Sequence, residues 1–285
     1  MAEFVEIFEM GPRDGLQNEK RLIPAAEKIA LVNRLSACGF AKIEVTSFVS
    51  PKWVPQMADA AEVMAGITRR EGVSYAVLTP NMRGYEAARA AGADEVAIFG
   101  SASEGFSQHN INCSVAESFA RFEPIMAAAK ADQIPVRGYI SCVTDCPYDG
   151  PTPPSKVAKV ATRLREMGCY QISLGDTIGK ATPKTTRAML DAVLEAVPAT
   201  LLAGHFHDTG GQAIRNIEVA LELGLRCFDA AVAGLGGCPY APGAKGNVDT
   251  MAVAARLKEL GYETGLNFAP LLDAAQYARS LRDAA

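Results

Sequence analysis

The sequence predicts an α/β chain closed into a (β/α)8 TIM barrel with one additional C-terminal helix. Three observations carry that expectation. Short apolar runs alternate with longer amphipathic stretches along the whole chain. No shift in composition divides it, and 285 residues suit one such barrel with modest extensions. The turn after the first run, Gly11-Pro-Arg-Asp-Gly15, lacks the GxGxxG spacing of a doubly wound dinucleotide fold, the runner-up architecture.

The runs that read as buried strands are Phe4–Met10, Lys42–Thr46, Ser74–Leu78, Glu95–Phe99, Val136–Ser141, Tyr170–Leu174, Leu201–Phe206 and Cys227–Val232. Between them, Pro24–Cys38 carries Ile29, Leu31, Val32 and Leu35 at helical spacing and stops at Gly39. Val157–Met167, Pro183–Val197, Gly211–Leu223 and Met251–Leu260 are further helices, the second opening on a proline that suits a helix start. Gly39, Gly92, Gly168 and Gly224 each stand between a helix and the next strand, the place of a C-terminal cap. Long loops are expected after the second, fourth, fifth and eighth strands. Residues 1–285 read as one catalytic domain, and 265–285 as a helical extension packed outside the barrel or in an oligomer contact.

Composition narrows the function classes. The net charge is −4, which disfavours nucleic acid and anionic membrane surfaces as partners. No apolar stretch approaches a membrane span, and Met1 to Met10 carries Glu3, Glu6 and Glu9 rather than a basic leader. The 7 cysteines form no CxxC pair, so a reducing compartment and a cytoplasmic location are expected.

In this fold the chemistry sits at the C-terminal ends of the strands. Arg13 and Asp14 follow the first strand; Glu44 lies in the second, with Ser47 just beyond; Asp176 ends the sixth; His205 and His207 end the seventh. Residues two apart on an extended backbone share a face, so the two imidazoles can grip one ion. The chain has 3 histidines in all, which makes a chance pair at this place improbable. Closure brings strands seven, eight and one together, so Asp14 and Asn247 can join the pair. Such a donor set suits an octahedral Mg²⁺ or Mn²⁺, and zinc also accepts these ligand types. The ordinary alternatives are a turn carboxylate for Asp14 and a loop or N-cap role for Asn247.

Arg13 is either a salt bridge across the mouth or a fixed cation for developing oxyanion charge. Glu44, ionisable in an apolar strand, either pairs with Arg13 or polarises a proton donor. Cys238 lies in a loop with Gly234, Gly236, Gly237, Gly243 and Gly246; it is a lid-borne proton donor or one more small apolar residue. Cys38, Cys169 and Cys227 read as buried apolar residues; Cys142 and Cys146 are open between structural and chemical roles. His109 falls in the loop expected after the fourth strand. Arg13, Gln17 and Ser47 are the expected substrate contacts.

Seven segments carry a family resemblance: Gly11-Pro-Arg-Asp-Gly-Leu-Gln-Asn-Glu19, Ser47-Phe-Val-Ser-Pro-Lys-Trp-Val-Pro-Gln56, Asn110-Ile-Asn-Cys-Ser114, Arg137-Gly-Tyr-Ile-Ser-Cys142, Ser173-Leu-Gly-Asp-Thr-Ile-Gly179, His205-Phe-His-Asp-Thr209 and Val232-Ala-Gly-Leu-Gly-Gly-Cys-Pro-Tyr240. Through them the chain resembles the 3-hydroxy-3-methylglutaryl-CoA lyases, within the metal-dependent aldolase and lyase barrels. The first and sixth segments are shared with sister barrels; the cysteine-bearing glycine loop and Ser-Pro-Lys-Trp-Val-Pro are more specific. Ala231, Gly210 and the stretch after Asn247 depart from the common pattern without removing a ligand.

The resemblance implies metal binding by Asp14, His205, His207 and Asn247, enolate stabilisation by Arg13, catalysis by Cys238, and support from Glu44 and Asp176. It implies an acyl-CoA substrate, a homodimer, and cleavage to acetyl-CoA and acetoacetate, with His205 and Asp176 as candidate bases. The rivals are a lyase for a related hydroxyacyl-CoA, a transferase condensing acetyl-CoA with a 2-oxo acid, and a non-catalytic metal-binding barrel.

Overall fold

The structure is a computed structural model and describes residues 2–236 and 246–283. Its barrel strands are β1 (Glu6–Glu9), β2 (Lys42–Ser47), β3 (Ser74–Leu78), β4 (Glu95–Ser101), β5 (Val136–Ser141), β6 (Gln171–Asp176), β7 (Leu202–Phe206) and β8 (Cys227–Ala230). All neighbours are parallel, and β8 pairs with β1 from Glu6↔Cys227 to Glu9↔Ala230, so the sheet closes into a barrel. Each expected strand is present, with ends moved by up to a few residues.

The helices are α1 (Ala25–Ser36), α2 (Ala60–Gly66), α3 (Met82–Ala90), α4 (Glu104–Ile111), α5 (Val115–Asp132), α6 (Pro154–Met167), α7 (Pro183–Leu194), α8 (Ala213–Glu222), α9 (Thr250–Glu259) and α10 (Phe268–Asp283). The segment after β4 is a correction: it is two helices, not a loop. Ser103 caps α4, Asn112 ends it in the left-handed region at φ 50°, and Ser114 with Glu117 forms a capping box that starts α5. The C-terminal extension packs outside the barrel. Leu271, Ala274, Ala275 and Ala278 of α10 are buried, and Arg34 of α1 reaches Asp273 at 2.7 Å.

Strand parity sorts the core. Ile7, Ile43, Val77, Val96, Ile98, Ile140, Ile172, Leu174 and Leu202 face the helices in one large apolar layer. Phe8, Met10, Ala76, Leu78, Ala97, Tyr139, Ala203 and Cys227 form a smaller cluster inside the barrel. A bulge in β2 shifts its register between Glu44 and Thr46, so Ser47 pairs with inward-facing Leu78. The inner face therefore passes from Glu44 to Ser47, where unbroken alternation would have given Thr46. Among the described residues no helix is long and apolar enough to cross a membrane.

Candidate active site

The turn after β1 places the first two site residues. Gly11–Gly15 is a single π-helical turn, closed by the Gly15 N–H donating to the Met10 carbonyl at 3.1 Å. Glu9, on the outer face of β1, holds it from below. Its Oε1 accepts from the N–H groups of Gly11 and Val232, each at 2.8 Å, and its Oε2 accepts from Thr250 Oγ1 at 2.7 Å. One buried carboxylate thus clamps the loops after β1 and β8. Gly11 must be glycine there, because a Cβ would stand 2.7 Å from that carboxylate oxygen.

His205 lies in β7 and His207 just past its end. The chain returning after β8 is stitched alongside: Asp208 N–H donates to the Gly246 carbonyl at 2.7 Å and Val248 N–H to the Phe206 carbonyl at 3.1 Å. This antiparallel contact pairs His207 with Asn247, which carries Asn247 to the mouth. Asp14, His205 and His207 each offer a ligand atom, all within 4.8 Å of one another. Asp14 Oδ2 lies 3.8 Å from His205 Nε2 and 4.0 Å from His207 Nε2. Asn247 Nδ2 donates to Asp14 Oδ2 at 2.8 Å, while its Oδ1 is buried without a partner. Two imidazoles, a carboxylate and an idle amide oxygen fit a divalent cation. Gly236 closes the arrangement at φ +96°, where a Cβ would fall 2.7 Å from Asn247 Nδ2.

Electrostatics favour the same use. Burial opposes ionisation of Asp14, but the Arg13 guanidinium, aided by the hydrogen bond from Asn247, outweighs it and holds the carboxyl well below the usual range. Burial, reinforced by the neighbouring His205, lowers His207 to about 4, so its imidazole is neutral and able to ligate near pH 7. Arg13 Nε donates to Glu44 Oε2 and its Nη1 to Asp14 Oδ1, both at 2.5 Å. These carboxylates overcome the burial cost and keep the guanidinium charged. Glu44 also accepts from Tyr139 Oη at 3.0 Å, so it pairs with Arg13 and meets a proton donor at once.

A cavity of about 840 Å³ opens over this cluster. Arg13, Asp14, Gln17, Tyr139, His205 and His207 line its polar side, and Val49, Val54, Leu78, Phe99 and Phe106 its apolar side. Gln17 Oε1 is buried there without a partner. Ser47 Oγ is also buried and unpartnered, but it does not line the cavity.

Asp176 does not join the cluster. It lies on the opposite face of β6 from Ser173 and Gly175, and accepts from Ala181 N–H at 3.0 Å, Lys180 N–H at 3.2 Å and Thr144 Oγ1 at 3.3 Å. Burial, only partly offset by these bonds, raises it to about 6. Its neighbours Gly175 and Thr177 reach the cavity wall. His109 sits on α4 rather than in a loop; it lines the cavity and stacks on Tyr148 at 3.8 Å. Cys142 and Cys146 are buried against Phe106, and Cys146 Sγ accepts from Ser103 Oγ at 2.9 Å. Cys38, Cys169 and Cys227 are buried, as expected. Cys238 lies outside the described residues.

The sequence reading passed over two further ionic residues. Arg137 and Asp229 point into the barrel from β5 and β8 and bind each other at 2.7 and 3.0 Å. The signal was available, since each is a charged residue inside an apolar strand, as Glu44 is.

Comparison with known proteins decides the family. The HMGL-like family model matches residues 4–277. The chain belongs to the HMGL-like family. An HMG-CoA lyase crystal structure from Brucella melitensis is 63% identical, with a TM-score of 0.98 over 99% of this chain and 100% of that one. A 3-hydroxy-3-isohexenylglutaryl-CoA/hydroxymethylglutaryl-CoA lyase from Pseudomonas aeruginosa is 57% identical over 95% of this chain and 91% of its own length. An HMG-CoA lyase from Acinetobacter baumannii, solved with coenzyme A and 3-methylmalate, is 36% identical, with a TM-score of 0.93 over 98% of this chain and 92% of that one. Membership accounts for the barrel and for the Asp-His-His group at its mouth.

Proposed function

We propose that this family member is a lyase that cleaves 3-hydroxy-3-methylglutaryl-CoA to acetyl-CoA and acetoacetate. The observation that carries the reading is the Asp14, His205 and His207 group, with the idle Asn247 oxygen, beside a fixed arginine in a cavity sized for an acyl thioester. Lyases of this name among relatives at 57–63% identity support it.

A divalent cation, Mg²⁺ or Mn²⁺, held by Asp14, His205, His207 and Asn247 would acidify the C3 hydroxyl and fix its position. The remaining work belongs to the chain. The hydroxyl proton leaves to a base, and the electron pair of the O–H bond becomes the carbonyl of acetoacetate. The bond between C2 and C3 breaks, and its pair passes to the thioester as an enolate. Arg13, its cation fixed by Glu44 and Asp14, stabilises that enolate as negative charge gathers on the thioester oxygen. Protonation of the enolate carbon gives acetyl-CoA, and Cys238 is the donor that the resemblance implies. Gln17 offers its buried oxygen to the substrate from the cavity wall, and Ser47 stands behind the wall at the end of β2. Asp176 holds the loop that presents Thr177.

Purified protein should release acetoacetate from hydroxymethylglutaryl-CoA, lose that activity in EDTA, and regain it with Mg²⁺ or Mn²⁺. Condensation of acetyl-CoA with 2-oxoisovalerate in place of cleavage would favour the transferase, and metal binding with no turnover would favour the non-catalytic barrel. The apolar cavity wall and the relative named for an isohexenyl substrate favour a second reading, a larger C3 substituent. Parallel assays with the isohexenyl thioester measure that breadth. A homodimer is the assembly expected, and light scattering tests it.

A further inference from the structure

A chain of polar contacts runs through the barrel interior behind the cluster. Asp14 binds Arg13, Arg13 binds Glu44, and Glu44 accepts from Tyr139. Arg137 Nη1 donates to Tyr139 Oη at 3.0 Å, and Arg137 grips Asp229 with both Nη atoms. His205 Nδ1, 3.1 Å from Asp229 Oδ2, brings the chain back to the cluster, where His205 Nε2 stands 3.8 Å from Asp14 Oδ2. Arg137, Asp229 and Ser173 are all at least 99% buried.

Asp229 is the decisive member. An arginine paired fork-to-fork with a carboxylate keeps it ionised, and an ionised carboxylate can only accept. Its Oδ2 also accepts from Ser173 Oγ at 2.7 Å. The proton between His205 and Asp229 therefore sits on Nδ1, and Nε2 stands 3.8 Å from Asp14 Oδ2. His207 has no such anchor: its Nδ1 is buried without a hydrogen-bond partner. We propose that Asp229, braced by Arg137 and Ser173, is a positioning residue that locks His205 in the Nδ1–H tautomer and so presets Nε2 as a metal ligand. The inference rests on the metal reading of the cluster. With one nitrogen committed to Asp229 and the other to the ion, His205 serves as ligand, and another group takes the hydroxyl proton.

The test uses the full chain, labelled with ¹⁵N-histidine and stripped of metal. Long-range ¹H–¹⁵N spectra distinguish the tautomers, and with 3 histidines the signals are assigned by His109 and His207 variants. His205 should show Nδ1–H in the wild type. In Asp229→Asn the Arg137 side holds the amide oxygen, the amide N–H groups turn to His205, and the tautomer flips to Nε2–H. Mn²⁺ affinity, read by electron paramagnetic resonance, should fall about 10- to 100-fold. The paired variant Arg137→Gln/Asp229→Asn, which strands no charge, should show the same loss. Wild-type His205 in the Nε2–H form would overturn the proposal even if no variant folds. So would folded Asp229→Asn or paired variants that bind Mn²⁺ as tightly as the wild type. Wild-type protein that shows the Nδ1–H tautomer but binds no Mn²⁺ sinks the metal reading and leaves the tautomer lock standing.

Discussion

The inside of the strand cylinder holds Glu44, Arg137, Ser173, His205 and Asp229, joined by hydrogen bonds that extend to Arg13 at the mouth, whereas the outer face carries branched aliphatic side chains packed against the surrounding helices. Both faces are dry. They differ in what burial demands. Aliphatic groups need only shape and volume, and their transfer from water drives folding. Buried charges must find partners at defined distances, and pairing returns little net stability. The outer layer thus supplies stability, which the inner chain of contacts uses to hold its charges in place.

That contrast can be broken at either face. The largest effect is expected inside. Arg13→Gln should lower turnover by at least about 10²- to 10³-fold, the scale of losing one charge-stabilising donor, with Mn²⁺ affinity nearly unchanged. Steady-state kinetics beside a metal titration measure both, and wild-type turnover in this variant would remove the enolate role. The converse is expected outside. Leu164, fully buried on α6 beneath Gly138, should cost about 2–5 kcal/mol as Leu164→Ala in denaturant unfolding, while kcat of the folded fraction stays within about twofold. A large kcat loss there would mean that the two faces are not separable.

The smallest effect sits at the seam between them. Burial, only partly offset by its hydrogen bonds, raises Glu9 from 4.5 to about 7. The folded state then binds the proton more tightly than the unfolded state. This contribution to stability is complete below pH 4.5 and is lost as pH rises through 7. Glu9→Gln keeps an acceptor oxygen but cannot ionise. Its stability relative to wild type should therefore improve by on the order of 1–3 kcal/mol between pH 4.5 and pH 8. Thermal melts across that window test the sign; a difference that does not vary with pH would show that Glu9 titrates normally.

The sequence exposed the parts of this design that obey a period. Short apolar runs between amphipathic stretches located every barrel strand, and the spacing of His205 and His207 placed two imidazoles at one rim. Closure of the barrel then brought Asp14 and Asn247 to the same rim. What it hid depends on pairing across the chain. Asp229 and Arg137 each look like an isolated charge in an apolar run until β5 and β8 are seen facing each other across the lumen. The β2 bulge, which turns Ser47 inward, leaves no local mark, because Val45 is as ordinary in a bulge as in a ladder. The helices α4 and α5 were missed, because the polar stretch around Asn110 reads first as loop, although Ser114 and Glu117 spell a capping box.

The backbone bridge between His207 and Asn247 makes the spacing of these two positions a property of the main chain, independent of the groups they bear. The mouth is in that sense a chassis with exchangeable fittings. A carboxylate at position 207 would harden the donor set toward oxygen-loving ions while the asparagine opposite stayed where it is. Selectivity among cations can then drift by single substitutions, with no need for the barrel to be rebuilt.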